Sequence, residues 1–245
     1  MTRGKPPIIH PCPAPLPGGI GCKKIMQTPD LPTIHEIRRL AAPFPRPQAL
    51  AWDGKRLWIS SMATGQIVAM DAAAWSVEWE TEAPGVPFGM TAVEDGLRVL
   101  CGETGEDHRI IRRCMLQQGF DPCFAWPCPD DTGSQLGYDG QHLYVSQWYN
   151  QRILRLDAAG ETAAIIPSPH QICGQVIVGD HVYLMTTDDE STQEYFLTKI
   201  HLTTHEAADI AKVPFQARAL AFDGQNFWTN HREAHETVCF SVPTL

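Results

Sequence analysis

Five segments of the chain repeat one pattern of hydrophobic and polar positions. Each has an apolar run, a two-residue turn that contains Asp and Gly, and a second run rich in β-branched and aromatic residues. A turn of this kind between two such runs is a strong signal for a β-hairpin. The five predicted hairpins are PQALAWDGKRLWISS (47–61), FGMTAVEDGLRVLCG (88–102), SQLGYDGQHLYVSQ (134–147), GQVIVGDHVYLMTT (174–187) and RALAFDGQNFWTNH (218–231).

The hairpins recur at a nearly constant interval. The turn aspartates are residues 53, 95, 139, 180 and 223, so that the successive spacings are 42, 44, 41 and 43 residues. A third strand-like run follows every hairpin and a fourth follows four of them, as in QIVAMD (66–71) and SVEWETEA (76–83) after the first hairpin. Four antiparallel strands in a repeat of about 40 residues are typical of a β-propeller blade.

The last repeat lacks a strand that the N-terminal part of the chain can supply. It ends at Leu245 after three predicted strands, whereas a strand-like run from Thr33 to Ala42 precedes the first repeat. Joining that run to the last blade would close the ring and remove two exposed sheet edges. We therefore predict an all-β, five-bladed β-propeller closed by an N-terminal strand. The predicted blades are residues 47–85, 86–129, 130–169, 170–214, and 215–245 together with 33–46.

Two other architectures fit the pattern less well. A linear β-meander or a sandwich does not explain the constant period or the complementary missing strand. A sixth blade in residues 1–46 is disfavoured because eleven of the 20 prolines precede residue 48. The same prolines predict an extended, proline-rich arm over residues 1–32. A disordered arm is one interpretation, but its apolar residues, such as Ile8 and Leu16, favour an arm that lies against the body or a partner.

Charge and hydropathy exclude several classes of protein. The chain has 28 acidic and 19 basic residues and a net charge of −9, whereas proteins that bind nucleic acid normally present a basic face. No run reaches the ~20 apolar residues that a transmembrane helix needs, and the N-terminus lacks the apolar segment of a secretory signal. We therefore expect a cytoplasmic protein with neither a nucleic-acid nor a membrane partner.

Several blade sequences resemble known propeller families. The segments PQALAWDG, LWISSMATGQIVAMD and LYVSQWYNQRILRLD resemble blades of the glutamine cyclotransferase-like five-bladed propellers and of the streptogramin lyase-like propellers. Glutaminyl cyclotransferases of this fold convert an N-terminal glutamine to pyroglutamate with acidic and polar groups at the channel mouth. Their blades start with Gln or Glu followed by Gly-Leu, which Gln48 approaches here with Ala49 in place of the glycine. The matched positions are mostly structural, so that the resemblance implies the fold.

The topology of a propeller predicts where a site would lie. The starts of the first strands and the ends of the second strands meet at one mouth of the central channel, opposite the Asp-Gly turns. A funnel with few polar groups over an apolar wall is the usual form of a small-molecule site. The residues predicted to bind a ligand there are Gln48, Gln135, Gln175, Arg218 and Trp148. Glu103 and His231 are the predicted catalytic residues, because a carboxylate or an imidazole can transfer protons near neutral pH.

Each of these residues also has a structural interpretation. Arg218, which we expect to face Glu103 and Asp188 across the mouth, could clamp a carboxylate with two hydrogen bonds or form a structural ion pair. The three glutamines could bond to one another or to water in a narrow channel. His231 could be a solvated loop residue. The sequence leaves these alternatives open.

The cysteines predict no metal site. All eight are expected to be reduced, given the expected location. The nearest pair, Cys123 and Cys128, has no second pair with ligand spacing after it. Phosphate-binding, nucleophile-elbow and HExxH motifs are also missing from the sequence, so that no cofactor is identified.

Two functions of different class remain. The first is a propeller that binds a small anionic or zwitterionic molecule or a short peptide at the mouth, with a reaction of lyase or cyclotransferase type. The second is a non-catalytic scaffold that binds a partner protein through its face or its N-terminal arm. An enzyme should show a walled pocket with convergent titratable groups, and a scaffold should show a flat apolar patch.

Overall fold

Within the part of the chain that the structure describes, twenty strands form five separate four-stranded sheets. The structure, a computed structural model, describes residues 31–242 except 95, 105 and 106. The first three sheets are β2(Pro47–Trp52), β3(Leu57–Ser61), β4(Gln66–Asp71) and β5(Ser76–Glu82); β6(Val86–Val93), β7(Gly96–Thr104), β8(Asp107–Met115) and β9(Gly119–Pro127); and β10(Gln135–Tyr138), β11(Leu143–Gln147), β12(Arg152–Leu156) and β13(Thr162–Pro167). The other two are β14(Gln171–Val178), β15(His181–Thr187), β16(Tyr195–His201) and β17(Ala207–Val213); and β18(Ala217–Phe222), β19(Phe227–His231), β20(Glu236–Ser241) and β1(His35–Ala41).

The N-terminal strand completes the fifth blade. β1 pairs antiparallel with β20, from His35 opposite Ser241 to Ala41 opposite Glu236. This pairing confirms the prediction of a five-bladed propeller closed by an N-terminal strand, and the linear and six-bladed alternatives are wrong. The predicted arm lies outside the described residues, apart from its last two. No helix among the residues that the structure describes is long and apolar enough to cross a membrane.

The Asp-Gly turns share one hydrogen-bonding arrangement in three blades. Asp223 Oδ1 accepts the backbone N–H groups two and three residues later, at 2.8 and 2.7 Å, while its Oδ2 accepts Nε1–H of Trp228 at 2.8 Å. Asp53 and Asp139 make the equivalent bonds, with Trp58 and Tyr144 as the aromatic donors. The carboxylate thus closes the turn and also fixes the aromatic residue at the second position of the second strand.

The core lies between neighbouring blades. Leu50 and Ile59 of the first blade, for example, belong to one buried cluster with Ala221 and Trp228 of the fifth. The inner strands come so close at the axis that a Cβ atom on Gly174 would lie 2.3 Å from the carbonyl carbon of the next blade's inner strand. Only glycine fits such an approach of two backbones.

Four of the five inner strands are irregular at the mouth of the channel. The pairing register shifts by one residue between Pro47 and Leu50 in β2, and similar shifts occur in β6, β14 and β18. A β-bulge bends its strand and redirects a side chain, and bulges are common beside binding sites. Here hydroxyl groups of the second strands support the bulged backbone: Ser60 Oγ accepts Ala49 N–H at 3.0 Å, and Thr229 Oγ1 donates to the carbonyl of residue 219 at 2.9 Å.

Candidate functional site

A cavity of about 260 Å³ opens at the predicted mouth of the channel. All five blades contribute to it, through the starts of inner strands and through the loops that follow second strands. The residues that line it are Gln48, Met62, Phe88, Arg109, Thr132, Gly133, Ser134, Gln135, Trp148, Tyr149, Ile172, Cys173, Glu190, Arg218 and Arg232. Four of the five predicted ligand-binding residues are therefore brought together in one cavity.

Arg218 is the most buried cation of this cavity, with 6% of its surface exposed. Its Nη2 lies 3.0 Å from Oε1 of Glu190, and its Nη1 donates to the hydroxyl of Tyr195 at 3.3 Å and to Sγ of Cys173 at 3.1 Å. The guanidinium also lies 5.6 Å from the ring centroid of Trp148. Burial raises the pKa of the Cys173 thiol to about 12, so that Cys173 is a neutral neighbour rather than a thiolate.

Two further arginines line the cavity, and sequence reasoning did not single them out as binding residues. Arg232 donates to Oε1 of Gln48 at 3.1 Å and to Glu233 at 3.1 Å, and burial together with the charge of Arg218 lowers its pKa. Arg109 stacks on Phe88, with its guanidinium carbon 3.2 Å from the ring centroid. The described lining residues include three arginines and one carboxylate, that of Glu190. The lining is therefore richer in positive than in negative side chains, in a protein whose net charge is −9.

The axial glutamines join the blades to one another. Gln48 and Gln135, from the first and third blades, both donate from Nε2 to the carbonyl of Phe88 in the second, at 3.2 and 3.0 Å. Gln175 of the fourth blade donates to the carbonyls of Gln135 and Tyr144 and lines a separate cavity of about 130 Å³ farther along the channel. These amide N–H groups are therefore engaged with backbone carbonyls of neighbouring blades and not with one another's side chains, and Gln175 is not part of the mouth cavity.

The two predicted catalytic residues lie outside the cavity lining. Glu103 accepts hydrogen bonds from Arg112 at 2.5 Å on its own blade. His231 stacks on Phe215, with ring centroids 5.0 Å apart, and its Nδ1 lies 3.3 Å from Nη1 of Arg39. Burial together with the charge of Arg39 lowers the pKa of His231. Their catalytic roles remain predictions that no contact with the mouth cavity supports.

The predicted carboxylate partners of Arg218 are wrong. Glu103 pairs with Arg112 and Asp188 binds the buried His170, whereas Arg218 pairs with Glu190. Glu103 is near the end of the second strand β7 and Asp188 follows the end of the second strand β15, and the repeat places both ends at the mouth. The repeat pattern does not specify the direction of a side chain at or after such a strand end, and this direction decides the pairing.

A buried imidazole close to the mouth was also missed. Nδ1 of His170 lies 2.6 Å from Asp188 and its Nε2 lies 3.2 Å from the buried Asp209, which in turn accepts the hydroxyl of Thr198 at 2.7 Å. Burial alone would lower the pKa of His170, but the hydrogen bonds and charges of Asp209 and Asp188 outweigh it and raise that pKa to about 9. His170 is therefore a charged link between the strands of the fourth blade.

One group on the opposite face of the propeller has the composition of a metal site. Ligand atoms of Asp180, His181 and His201 lie within 4.8 Å of one another. Nδ1 of His201 accepts the backbone N–H groups of Thr203 and Thr204 at 3.1 and 3.2 Å, so that the neutral ring carries its hydrogen on Nε2. That nitrogen faces Asp180 at 3.5 Å and has no lone pair for a metal ion. The group is better explained as a hydrogen-bonded turn.

A solved enzyme structure has a similar fold. The crystal structure of Myxococcus xanthus glutaminyl cyclase matches this chain with a TM-score of 0.67 and 11% sequence identity, over 87% of this chain and 97% of that one. No protein-family model matches the sequence, and no curated protein matches it. At this identity the likeness concerns the fold alone. The chain is thus a five-bladed propeller similar in fold to a glutaminyl cyclase, as the resemblance of its blades implied.

Proposed function

We propose that this protein binds a small anionic or zwitterionic molecule at the mouth of its channel. The observation that carries the proposal is the convergence of Arg109, Arg218 and Arg232 on one cavity in a chain whose net charge is −9. Glu190 and Glu233 pair with Arg218 and Arg232, and both carboxylates are about half exposed. An anion in the cavity would compete for these guanidinium groups with partners that water already screens.

The size of the cavity restricts the ligand. At about 260 Å³ the cavity lies just below the range of roughly 300–1,000 Å³ that is usual for small-molecule sites. A molecule of the size of an amino acid, or the end of a peptide, fits this volume better than a larger cofactor does. The overall negative charge repels anions at long range, so that binding depends on local contacts and should respond only moderately to salt.

The lining suggests how a ligand would be held. The guanidinium of Arg218 is planar, and its Nη1 is fixed by contacts with Tyr195 and Cys173. A carboxylate would accept two parallel hydrogen bonds from the other two nitrogens of the group. Trp148 and Tyr149 form an aromatic wall on one side. Tyr149 is 86% exposed, so that its ring is available to cover the apolar part of a ligand.

The test is a thermal-shift screen of small carboxylates and short peptides against wild type and Arg218→Met. Ligands of the mouth should raise the melting temperature of the wild type and not that of Arg218→Met. Arg39→Met is the matched control, because Arg39 is paired with Glu36 and Glu236 on the outer strand of the fifth blade and its loss removes the same charge. Hits that stabilise all three proteins equally would remove Arg218 from the site. A screen without hits would favour the scaffold function.

A reaction of cyclotransferase type is the second candidate, and the shared fold with glutaminyl cyclase favours it. In such a reaction the amine of an N-terminal glutamine attacks the side-chain amide carbon, a ring C–N bond forms, and ammonia leaves. A proton must leave the amine and reach the departing ammonia. Among the described residues of the cavity, Glu190 is the carboxylate that could exchange it. Release of ammonia from peptides with an N-terminal glutamine, compared between wild type and Arg218→Met, tests this candidate.

A further inference from the structure

Glu190 is the acidic residue among the described residues that line the mouth cavity. It lies in the connection between β15 and β16, and its Oε1 is 3.0 Å from Nη2 of Arg218. The two partners differ strongly in exposure: 51% of the Glu190 side chain is accessible to solvent, compared with 7% of that of Arg218. The cation of this pair is therefore held in place, while its anion faces water.

The backbone that carries Glu190 is held by contacts that do not involve its carboxylate. Nε2 of Gln216 donates to the carbonyl of Glu190 at 3.0 Å. Before it, Asp188 is bound by the buried His170 at 2.6 Å. The hydroxyl of Thr187, three residues before Glu190, donates at 2.8 Å to the carbonyl of residue 194, four residues after it. The side chain of Glu190 can consequently turn away into solvent without a change in the path of the loop.

We propose that Glu190 is an internal counter-ion, which the anionic group of a ligand displaces from Arg218. This inference rests on the proposed anion-binding function and specifies how the site accepts its ligand. Without a ligand, the buried guanidinium would lack an opposite charge, and Glu190 supplies one. With a ligand, a carboxylate takes the same position and the Glu190 side chain is rehydrated, which costs little because it is already half exposed.

This arrangement determines the charge of the ligands that the mouth accepts. A neutral molecule cannot replace a carboxylate on Arg218 and leaves the internal pair intact. An anion must compete with Glu190, so that bidentate or doubly charged ligands have an advantage over weak monodentate ones. Glu190 therefore lowers the affinity of the site for every anion and sharpens its preference for anions that accept two parallel N–H groups of the guanidinium.

The test measures the affinity of benzoate for wild type, Glu190→Gln and Glu194→Gln by calorimetry, with benzamide as the uncharged probe of the same shape. Glu194 is exposed in the same connection, so that both substitutions remove one negative charge from the same loop. Benzoate should bind Glu190→Gln about two- to fivefold more tightly than the wild type, while Glu194→Gln and all benzamide values stay unchanged. Equal or weaker binding of benzoate to Glu190→Gln would overturn the inference.

A measurement without ligand separates this inference from the proposed function. Thermal unfolding of Glu190→Gln, Arg218→Met and the double variant reports whether the two residues are coupled in the free protein. Coupling in this cycle, together with unchanged benzoate affinity in Glu190→Gln, would make the pair purely structural and leave anion binding standing. Failure of benzoate and of every carboxylate in the screen to bind any variant would overturn the proposed function, and the inference with it.

Discussion

The two ends of the channel are built on opposite principles. On the turn face, three blades use the same aspartate-to-backbone and aspartate-to-aromatic hydrogen bonds. At the mouth, the inner strands present glutamine in two blades and a different residue in each of the other three; these residues are Gln48, Gln135, Phe88, Cys173 and Arg218. The repeated turn bonds stabilise the blades that contain them. The residues that depart from the repeat are not required by the fold alone. They are therefore candidates for a functional role at the mouth.

The largest predicted effect is that of a substitution at Arg218, which should impair binding at the mouth and not folding. Arg218→Met keeps most of the side-chain volume but removes the charge and the two parallel donors. Loss of a desolvated, charge-assisted contact should weaken binding of a carboxylate by about 2–5 kcal/mol. The free energy of unfolding should fall by much less than that. Calorimetric titration and thermal unfolding of the same variant measure both quantities. A loss of stability as large as the loss of binding would make this arginine a structural residue of the mouth.

A buried imidazolium at the mouth end of the fourth blade predicts a pH dependence. The pKa of His170 is raised to about 9 in the folded protein, compared with about 6.5 in an unfolded chain. Its contribution, about 3 kcal/mol, is therefore fully present below about pH 6.5 and is lost as the pH rises through about 9. Denaturant unfolding of wild type and His170→Gln should show a difference in stability that shrinks between these pH values. A difference independent of pH would contradict the charged link.

Substitution of a turn aspartate should have the converse effect to that of Arg218→Met. Asp223→Ala removes two turn hydrogen bonds and the acceptor of Trp228, and should lower the free energy of unfolding by about 2–3 kcal/mol with unchanged ligand affinity. Asp223→Asn keeps an acceptor for the turn and should cost less. Chemical denaturation of both variants, with the same substitutions at Asp139, tests whether the arrangement is equivalent in different blades.

The smallest predicted effect concerns the aromatic side chain at the rim of the mouth. Tyr149 lies at its rim and is almost fully exposed, so that Tyr149→Ala should leave the melting temperature unchanged. If its ring covers the ligand, carboxylates with an aromatic group should lose up to about 1 kcal/mol of binding free energy, whereas acetate should lose none. Titrations of benzoate and acetate against this variant measure the difference. Equal losses for both ligands would place the ring outside the contact.

The architecture of this protein can be predicted from its sequence alone. Period, turn chemistry and alternation are local signals, and they specified five blades, the hairpins and the pairing of β1 with β20, because a β-sheet repeats its contacts at regular intervals. Even so, the repeat does not specify which apolar residues are fully buried: Trp52, Tyr138 and Phe222, at the ends of inner strands, are only partly buried and line the channel cavity.

Which side chains meet at the mouth depends on the tertiary structure and could not be predicted from the repeat. Arg109 comes from a third strand and Arg232 from the segment after β19, and the assembled ring places both in the cavity that Arg218 lines. Glu190, rather than Glu103 or Asp188, reaches that arginine. The direction of a side chain at a bulge or in a loop depends on the packing of neighbouring blades and not on the period of the strands. The chemistry of the mouth therefore became visible only when all five blades were assembled.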